Sequence, residues 1–433
     1  MRILLAVHHF PPQYTSGAEW EAFRIASHLQ KRSHQVKVVC VEQMTNSDKA
    51  EITWKDEIYQ EIPVRRLFVK MRISYGEFTR WEFDNPLIAE NIQGLLSEYS
   101  PDVFHLVSGY LMTGSSLRKA QEMGVPTILS LMDFWFLCRR ITLYRSDGKL
   151  SSPPILAEKC VQCIGEEKPY FNYLGKRFPK VMQRYWKGQK THIQLFEERK
   201  RFLIETLNHV NIIISRSKFM REFYVKEGVD KDLFVLSRQG LDIEPFQEKE
   251  SSERTPGKLR VGYSGQIASV KGVDVLIKAV RLVQNPNLEL KIYGNLQAFP
   301  KYTEQLIQLA KGDDRIHFEG LFKHEKLVDV MNQLDVVVVP SVWYENSPNV
   351  IMEAFATRTP VIASDMGGMA ELVHHKENGL LFKLGNAQDL ADQLSLLLKD
   401  NSLLSQLRGH IKPVKRIETE MDELEKFYQS ILK

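Results

Sequence analysis

Short apolar runs alternate with helical windows through most of this 433-residue chain, and that alternation restricts the fold more than any other feature. Runs rich in Val, Ile and Leu at 3–7, 36–41, 103–107, 127–131 and 210–214 read as strands. Between the first two, Ala22, Ile25, Ala26 and Leu29 fall at i, i+3, i+4, i+7, which is one face of a helix. A second series opens with a strand at 259–263. It continues through a helix face at Val273, Leu276, Ile277 and Val280 and strands at 288–293, 316–318 and 336–339. Strands that alternate with helices build parallel sheets with crossover connections. The polar stretch 247–258 (QEKESSERTPGK) separates the series and reads as a linker. The expected fold is α/β, with two facing Rossmann-like doubly wound domains at 1–246 and 259–412. A last helix at 417–432 lies within a C-terminal segment, 413–433. Open sheets of this kind bind ligands at the carboxyl ends of their strands, so a cleft between two of them can hold two substrates.

Bulk properties exclude several classes. Hydrophobic content of 43% and charged content of 26% are ordinary for a soluble chain with two cores. A formal net charge of +4 is too small to imply nucleic acid. No apolar stretch approaches the length that spans a bilayer. The apolar run at 2–7 is too short for a signal-peptide core and reads as a first strand. Four cysteines in a chain this long do not make a disulfide framework, so the expected compartment is the reducing cytoplasm.

Chemistry concentrates after the strand at 336–339. Glu345 and Glu353 stand eight residues apart in SVWYENSPNVIMEAFATRTPVIASDMGGMAEL. Ser347 is placed to cap a helix with Pro348 at its first position. Glu345 then lies in the loop and Glu353 on the helix, leaning back over Asn349 and the helix start. Free backbone N–H groups at a helix start favour phosphate. Carboxylates accept bonds from sugar hydroxyls. One crevice thus suits both halves of a nucleotide sugar. A surface glutamate beside an ordinary helical one is the plain alternative, and the surrounding motif decides against it.

The segment 337–372 resembles the signature of the retaining, GT-B-fold glycosyltransferases related to sucrose synthase and bacterial glycogen synthase (glycosyltransferase group 1). The matching residues are Pro340-Ser341, Glu345, Glu353-Ala354, Pro360-Val361-Ile362-Ala363, Gly367-Gly368 and Glu371. The resemblance continues more weakly along the chain, and it implies a C-terminal helix that returns to the first domain. It implies hexosyl transfer from a nucleotide sugar, with a UDP-sugar favoured and GDP-mannose second, to a hydroxyl of a glycan or lipid-linked acceptor. The implied chemistry needs no metal and no cofactor. Glu345 then contacts the donor sugar, Glu353 holds the ribose, and Asn349 and Val350 offer N–H groups to the phosphates. Asn346, Ser347 and Gly294 complete that side. In the loop Gly265-Gln266-Ile267-Ala268-Ser269-Val270-Lys271, glycine admits a phosphate to the backbone and Lys271 supplies charge. Gln266 stands where the family carries Arg, and Arg238 and Arg358 are candidates to replace that charge. Arg358 itself stands where the family has Gly. Gly17, after the first strand, is positioned to reach the donor phosphate, and Ser16 to cap the following helix.

On the acceptor side, His105 ends a strand and is either aimed at the cleft or packed. Asp133 is a candidate for hydroxyl binding, beside Met132 where one branch of the family has His. Cys138, Cys160 and Cys163 include half of a zinc spacing but lack a fourth thiol, and we read them as free thiols unless a His completes a site. The segment 168–190 holds seven Lys or Arg, six aromatics and no acid. It suits an anionic membrane surface or acceptor, or else forms a solvated hairpin. Nucleic acid is not expected, because the rest of the chain has no matching basic face. Two rivals share these motifs: a non-catalytic nucleotide-sugar-binding protein, and an epimerase or hydrolase of the same fold. A nicotinamide enzyme is disfavoured, because no G-x-G-x-x-G follows the first strand.

Overall fold

The computed structural model describes residues 1–72, 79–247 and 257–432. Most of the stretch read as a linker, 248–256, lies outside the described residues. The chain forms two compact units. One comprises Met1–Arg216, Met220–Ser237 and Met421–Lys433, the other Ser217–Phe219 and Arg238–Glu420. The C-terminal helix Ile417–Ile431 thus starts in the second unit and from Met421 belongs to the first.

The first unit is built on β1 (Arg2–Val7), β2 (Gln35–Asn46), β3 (Glu51–Tyr59), β4 (Ile62–Met71), β5 (Val103–Val107), β6 (Thr127–Leu131), β7 (Ile212–Ser215) and β8 (Phe234–Leu236). Their order in the sheet is β3-β4-β2-β1-β5-β6-β7-β8. All neighbours are parallel except β3 and β4, which form an antiparallel hairpin at the edge. Gln60 and Glu61 turn this hairpin with φ of 46° and 68°, the twist a two-residue connection needs. Such turns are signalled by Asn-Gly or Gly-Gly, neither of which is present, and β3 is mostly exposed and polar. The hairpin is therefore absent from the sequence reading. The helix Gly17–Lys31 buries Ala22, Ile25, Ala26 and Leu29 as its spacing requires.

The second unit carries β9 (Leu259–Ser264), β10 (Leu288–Tyr293), β11 (Ile316–Gly320), β12 (Val336–Val339), β13 (Val361–Ser364) and β14 (Gly379–Phe382), ordered β11-β10-β9-β12-β13-β14 and parallel throughout. Its sheet is buried on both faces. Val336 and Val338 join one apolar core while Val337 and Val339 join the other. Each such side chain contributes about 1.5–3 kcal/mol, so four consecutive valines suit only a covered strand.

Both sheets reverse winding direction at one place, between β1 and β5 in the first unit and between β9 and β12 in the second. At such a reversal the loops leaving adjacent strands diverge and open a crevice.

Candidate functional site

In the second unit, the loops leaving β9 and β12 meet at this reversal. The Val342 N–H donates to the carbonyl of Val270 at 2.9 Å. Gly272 follows with φ of 69°, and a Cβ on it would lie 2.0 Å from the Pro340 carbonyl oxygen. Only glycine fits there. The contact brings Lys271 Nζ to 2.7 Å from Glu345 Oε1. Ser341 Oγ and Trp343 Nε1 donate to the same oxygen at 2.7 and 2.8 Å. Three donors thus converge on Oε1, and none from the described residues reaches Oε2. Burial of Glu345 to 6% exposure makes such satisfaction necessary.

The other donor-side positions surround this pair. Gly265, with φ of 156°, and Gly294 bring the ends of β9 and β10 together, since a Cβ on Gly294 would lie 2.2 Å from the Gly265 carbonyl oxygen. The Gln266 side chain is exposed and its carbonyl accepts from Tyr263 Oη at 2.7 Å. Asn346 is buried, with Oδ1 accepting from Ser217 Oγ at 2.8 Å. The helix Asn349–Ala356 carries Asn349 and Val350 in its first turn, whose N–H groups have no acceptor inside the helix. Glu353, half-buried, lies in its second turn.

Several expectations need correction. Ser347 does not cap this helix. Pro348 occupies the cap position, and the buried Ser347 Oγ has no hydrogen-bond partner among the described residues. Ser16 stands at the N-cap of its helix but makes no capping bond, because its hydroxyl donates to Glu19. Arg358 adopts the left-handed conformation, φ 56°, that the family fills with glycine. Its guanidinium donates to the Ile411 carbonyl at 2.7 Å, at the opposite end of the helix from Asn349. It is therefore no substitute for the charge missing at Gln266. Arg238 is paired with Glu371 at 2.8 Å.

Gly367 and Gly368 fix the loop that presents Glu345. The Gly368 N–H donates to the Glu345 carbonyl at 2.9 Å, and a Cβ on Gly368 would lie 1.5 Å from the Asn346 carbonyl oxygen. Their place in the motif does not disclose this role.

In the first unit, His105 sits in mid-strand and is fully buried. Its ring nitrogens pair with Tyr428 Oη at 2.7 Å and Ser130 Oγ at 2.9 Å. Burial pushes its pKa down to about 3. It is a packed core histidine rather than a group aimed at a cleft. Asp133 follows β6, with Oδ2 taking the Ser108 hydroxyl and Oδ1 the Trp135 N–H, each at 2.8 Å. Burial raises its pKa. It braces the strand-end rim. Gly17 opens the first helix, and a Cβ placed on it would meet nothing within 4 Å.

Sequence reading missed two residues at that rim. His8, directly after β1, lies 3.2 Å from Glu19 and edge-on to Tyr110, at 5.5 Å between ring centres. Burial opposes ionisation of Glu19, but the His8 contact and the Ser16 hydroxyl outweigh it and hold its pKa near about 2. The clue was available: His8-His9 sits where the first strand meets the winding reversal.

The cysteines are unpaired. Cys138, Cys160 and Cys163 line a cavity of about 130 Å³. Burial pushes the Cys160 thiol up to about 12. No group of three metal-ligating side chains suited to an ion occurs among the described residues.

Two parallel α/β units with a helix shared at the C-terminus define the GT-B class. Solved structures agree. The chain superposes on Alr3699/HepE of Anabaena, solved with UDP and glucose, at a TM-score of 0.67 and 17% identity over 99% of this chain and 100% of the other. Sucrose-phosphate synthase of Thermosynechococcus elongatus gives 0.67 and 19% over 99% and 98%. At such identities the likeness shows the fold alone. Residues 245–412 match the family described as Glycosyl transferases group 1, and the chain carries a domain of that family. Among curated relatives, D-inositol 3-phosphate glycosyltransferase of Rhodococcus erythropolis is 31% identical over 208 residues, 44% of this chain and 46% of the relative. The amylovoran biosynthesis glycosyltransferase AmsK of Erwinia amylovora is 26% identical over 53% of this chain and 57% of its own. The chain thus spans about half the length of the relatives it matches.

Proposed function

We propose that this protein is a retaining glycosyltransferase that moves a hexose from a UDP-sugar to a hydroxyl of a glycan or lipid-linked acceptor. One observation carries the reading. Glu345 is fixed by three donors on Oε1, one of them Lys271, while Oε2 is left to accept a sugar hydroxyl. In this reading the diphosphate lies between Lys271 and the start of the helix Asn349–Ala356, where charge and free N–H groups stabilise it as it departs. The acceptor hydroxyl attacks from the same face, and a departing phosphate oxygen takes its proton. Glu353 binds the ribose hydroxyls. Catalysis is positioning and charge stabilisation, assigned to protein groups rather than to a metal. We assign the protein to the cytoplasm, with the inner face of a membrane as a second placement.

The test is sugar transfer with UDP-sugars, GDP-mannose and ADP-sugars, with and without chelator. Turnover with a UDP-sugar that survives chelation is expected. Glu345→Gln keeps the packing but exchanges an acceptor for a donor. It should lower kcat/KM at least about 100-fold, since an unmatched buried polar contact costs on the order of 3 kcal/mol. Lys271→Met should do the same. Wild-type turnover in both variants overturns the site. Donor binding with no turnover on any acceptor leaves the non-catalytic reading. Turnover with GDP-mannose alone replaces the donor.

A further inference from the structure

The segment 168–190 is not the hairpin that stood as its alternative. It forms two short helices in the first unit, Pro169–Arg177 and Pro179–Lys187. The second is anchored by its inner face, while the first buries no residue and is held through Phe171 and through Asn172, which donates to the Glu166 carbonyl at 3.2 Å. Trp186 and Met182 are buried, and the Trp186 ring fills the space where a Cβ on Gly165 would lie, 2.0 Å from the ring. Phe171 meets Trp186 edge-on at 5.1 Å between ring centres. The helices therefore present a fixed outer face.

That face has two independent peculiarities. First, Tyr170, Tyr173, Phe178, Val181 and Tyr185 are all exposed, three of them by 66–68%. They are five of the fifteen large apolar side chains left exposed among the described residues, within sixteen positions. Scattered exposed apolar groups are ordinary, but a cluster is not. Second, of the seven cations in 168–190, only Lys187 has an acidic partner among the described residues, Glu158 at 3.6 Å. Elsewhere cations are commonly paired, as are Arg65, Arg66 and Arg139. Arg177 instead lies over the Phe178 ring at 5.5 Å.

We propose that the outer face of these two helices docks on the interfacial zone of an anionic phospholipid bilayer. Tyrosine has an apolar body and a polar tip, which suits the headgroup boundary. Lysine and arginine place their charges among lipid phosphates while their stems cover apolar surface. No helix among the described residues is long and apolar enough to cross a membrane, so contact is from one side. The proposal draws on no residue of the donor site, and it stands or falls separately from the proposed reaction.

The experiment is co-sedimentation of the full chain with vesicles of phosphatidylcholine alone or mixed with phosphatidylglycerol. Binding to the mixed vesicles, weak binding to neutral ones and release by high salt are expected. Each cation near an anionic surface is worth about fivefold in partitioning. The triple variant Lys176→Glu, Arg177→Glu, Lys180→Glu should therefore bind at least about tenfold more weakly. Tyr170→Ser with Tyr173→Ser should weaken binding at unchanged charge. Both variants should keep the wild-type thermal midpoint and donor-induced shift. On the native chain, hydroxyl-radical footprinting should show Tyr170 and Tyr173 protected by mixed vesicles only, which keeps the test open if a variant misfolds. Absence of binding, equal binding to both vesicle types, or full binding by both variants overturns the proposal. So does capture by a soluble anionic polysaccharide or nucleic acid without capture by vesicles.

Discussion

Arg358 departs from what its backbone prefers, and it does so just past the helix Asn349–Ala356 of the candidate site. With φ of 56° it occupies a conformation that costs a side-chain-bearing residue on the order of 1 kcal/mol relative to glycine. Its compensation is the bond to the Ile411 carbonyl, which is modest because the side chain is exposed. The two terms nearly cancel, so Arg358→Gly should shift stability by less than about 1 kcal/mol. Arg358→Ala keeps the strain and loses the bond, and should be the less stable variant by about 1 kcal/mol. Urea denaturation of the two variants side by side checks the order, and equal midpoints would remove strain from the account. The sequence showed that glycine was missing here. It did not show where the guanidinium went, because Ile411 lies 53 positions away.

At the scale of elements, the strands were legible and the loops were not. The runs at 103–107, 127–131 and 336–339 coincide with β5, β6 and β12, because strands buried on both faces are written as mostly apolar text, and the alternating run at 288–293 coincides with β10. The helix Asn349–Ala356 was expected, but its cap was assigned to Ser347 from residue preference alone, and preference does not tell where a loop turns its hydroxyl. What shapes the Glu345 loop is a second element, the turn at Gly367-Gly368, and the closeness of the two was not readable. Gly368→Ala tests that dependence. The added methyl meets the Asn346 carbonyl oxygen and must displace the loop. Donor affinity, followed by UDP-induced thermal shift, should fall at least about tenfold, a loss of about 1.4 kcal/mol, although no group assigned to the donor has changed. Gly94→Ala is the control. It lies in the exposed interior of the helix Pro86–Tyr99 with nothing within 4 Å, and it should stabilise by about 0.5–1 kcal/mol. Unaltered UDP affinity in Gly368→Ala would separate this turn from the site.

For the whole molecule, the decisive unread contact joins residues 323 positions apart in a chain of 433. His105 pairs with Tyr428 across 323 positions, and Tyr428, Met421 and Leu424 of the C-terminal helix are buried in the first unit. A histidine inside an apolar strand looks like chemistry when its partner is out of view, which is why sequence reading left a catalytic role open. The burial carries a pH signature. The folded pKa, about 3, lies below the ordinary 6.5, so the unfolded chain takes up a proton that the folded chain refuses. Stability is therefore level above about pH 6.5 and falls by about 1.4 kcal/mol per unit below it, until the folded histidine also protonates near about 3. Buried carboxylates with lowered pKa, such as Glu19, lose their contribution only at more acid pH, as protonation proceeds through about 2. The interval between about pH 6.5 and about pH 5.5 thus carries the histidine contributions, His9 included because burial lowers its pKa too, and comparison with a His105 variant separates that of His105. His105→Gln should be less stable than the native chain at about pH 7.5 by roughly 1–3 kcal/mol, having lost one buried bond. On moving to about pH 5.5 it should lose about 1.4 kcal/mol less than the native chain does. Urea transitions of both proteins at the two pH values measure that difference directly. Parallel losses would mean that His105 titrates in the fold, and the rigid link from β5 to the C-terminal helix would have to be abandoned.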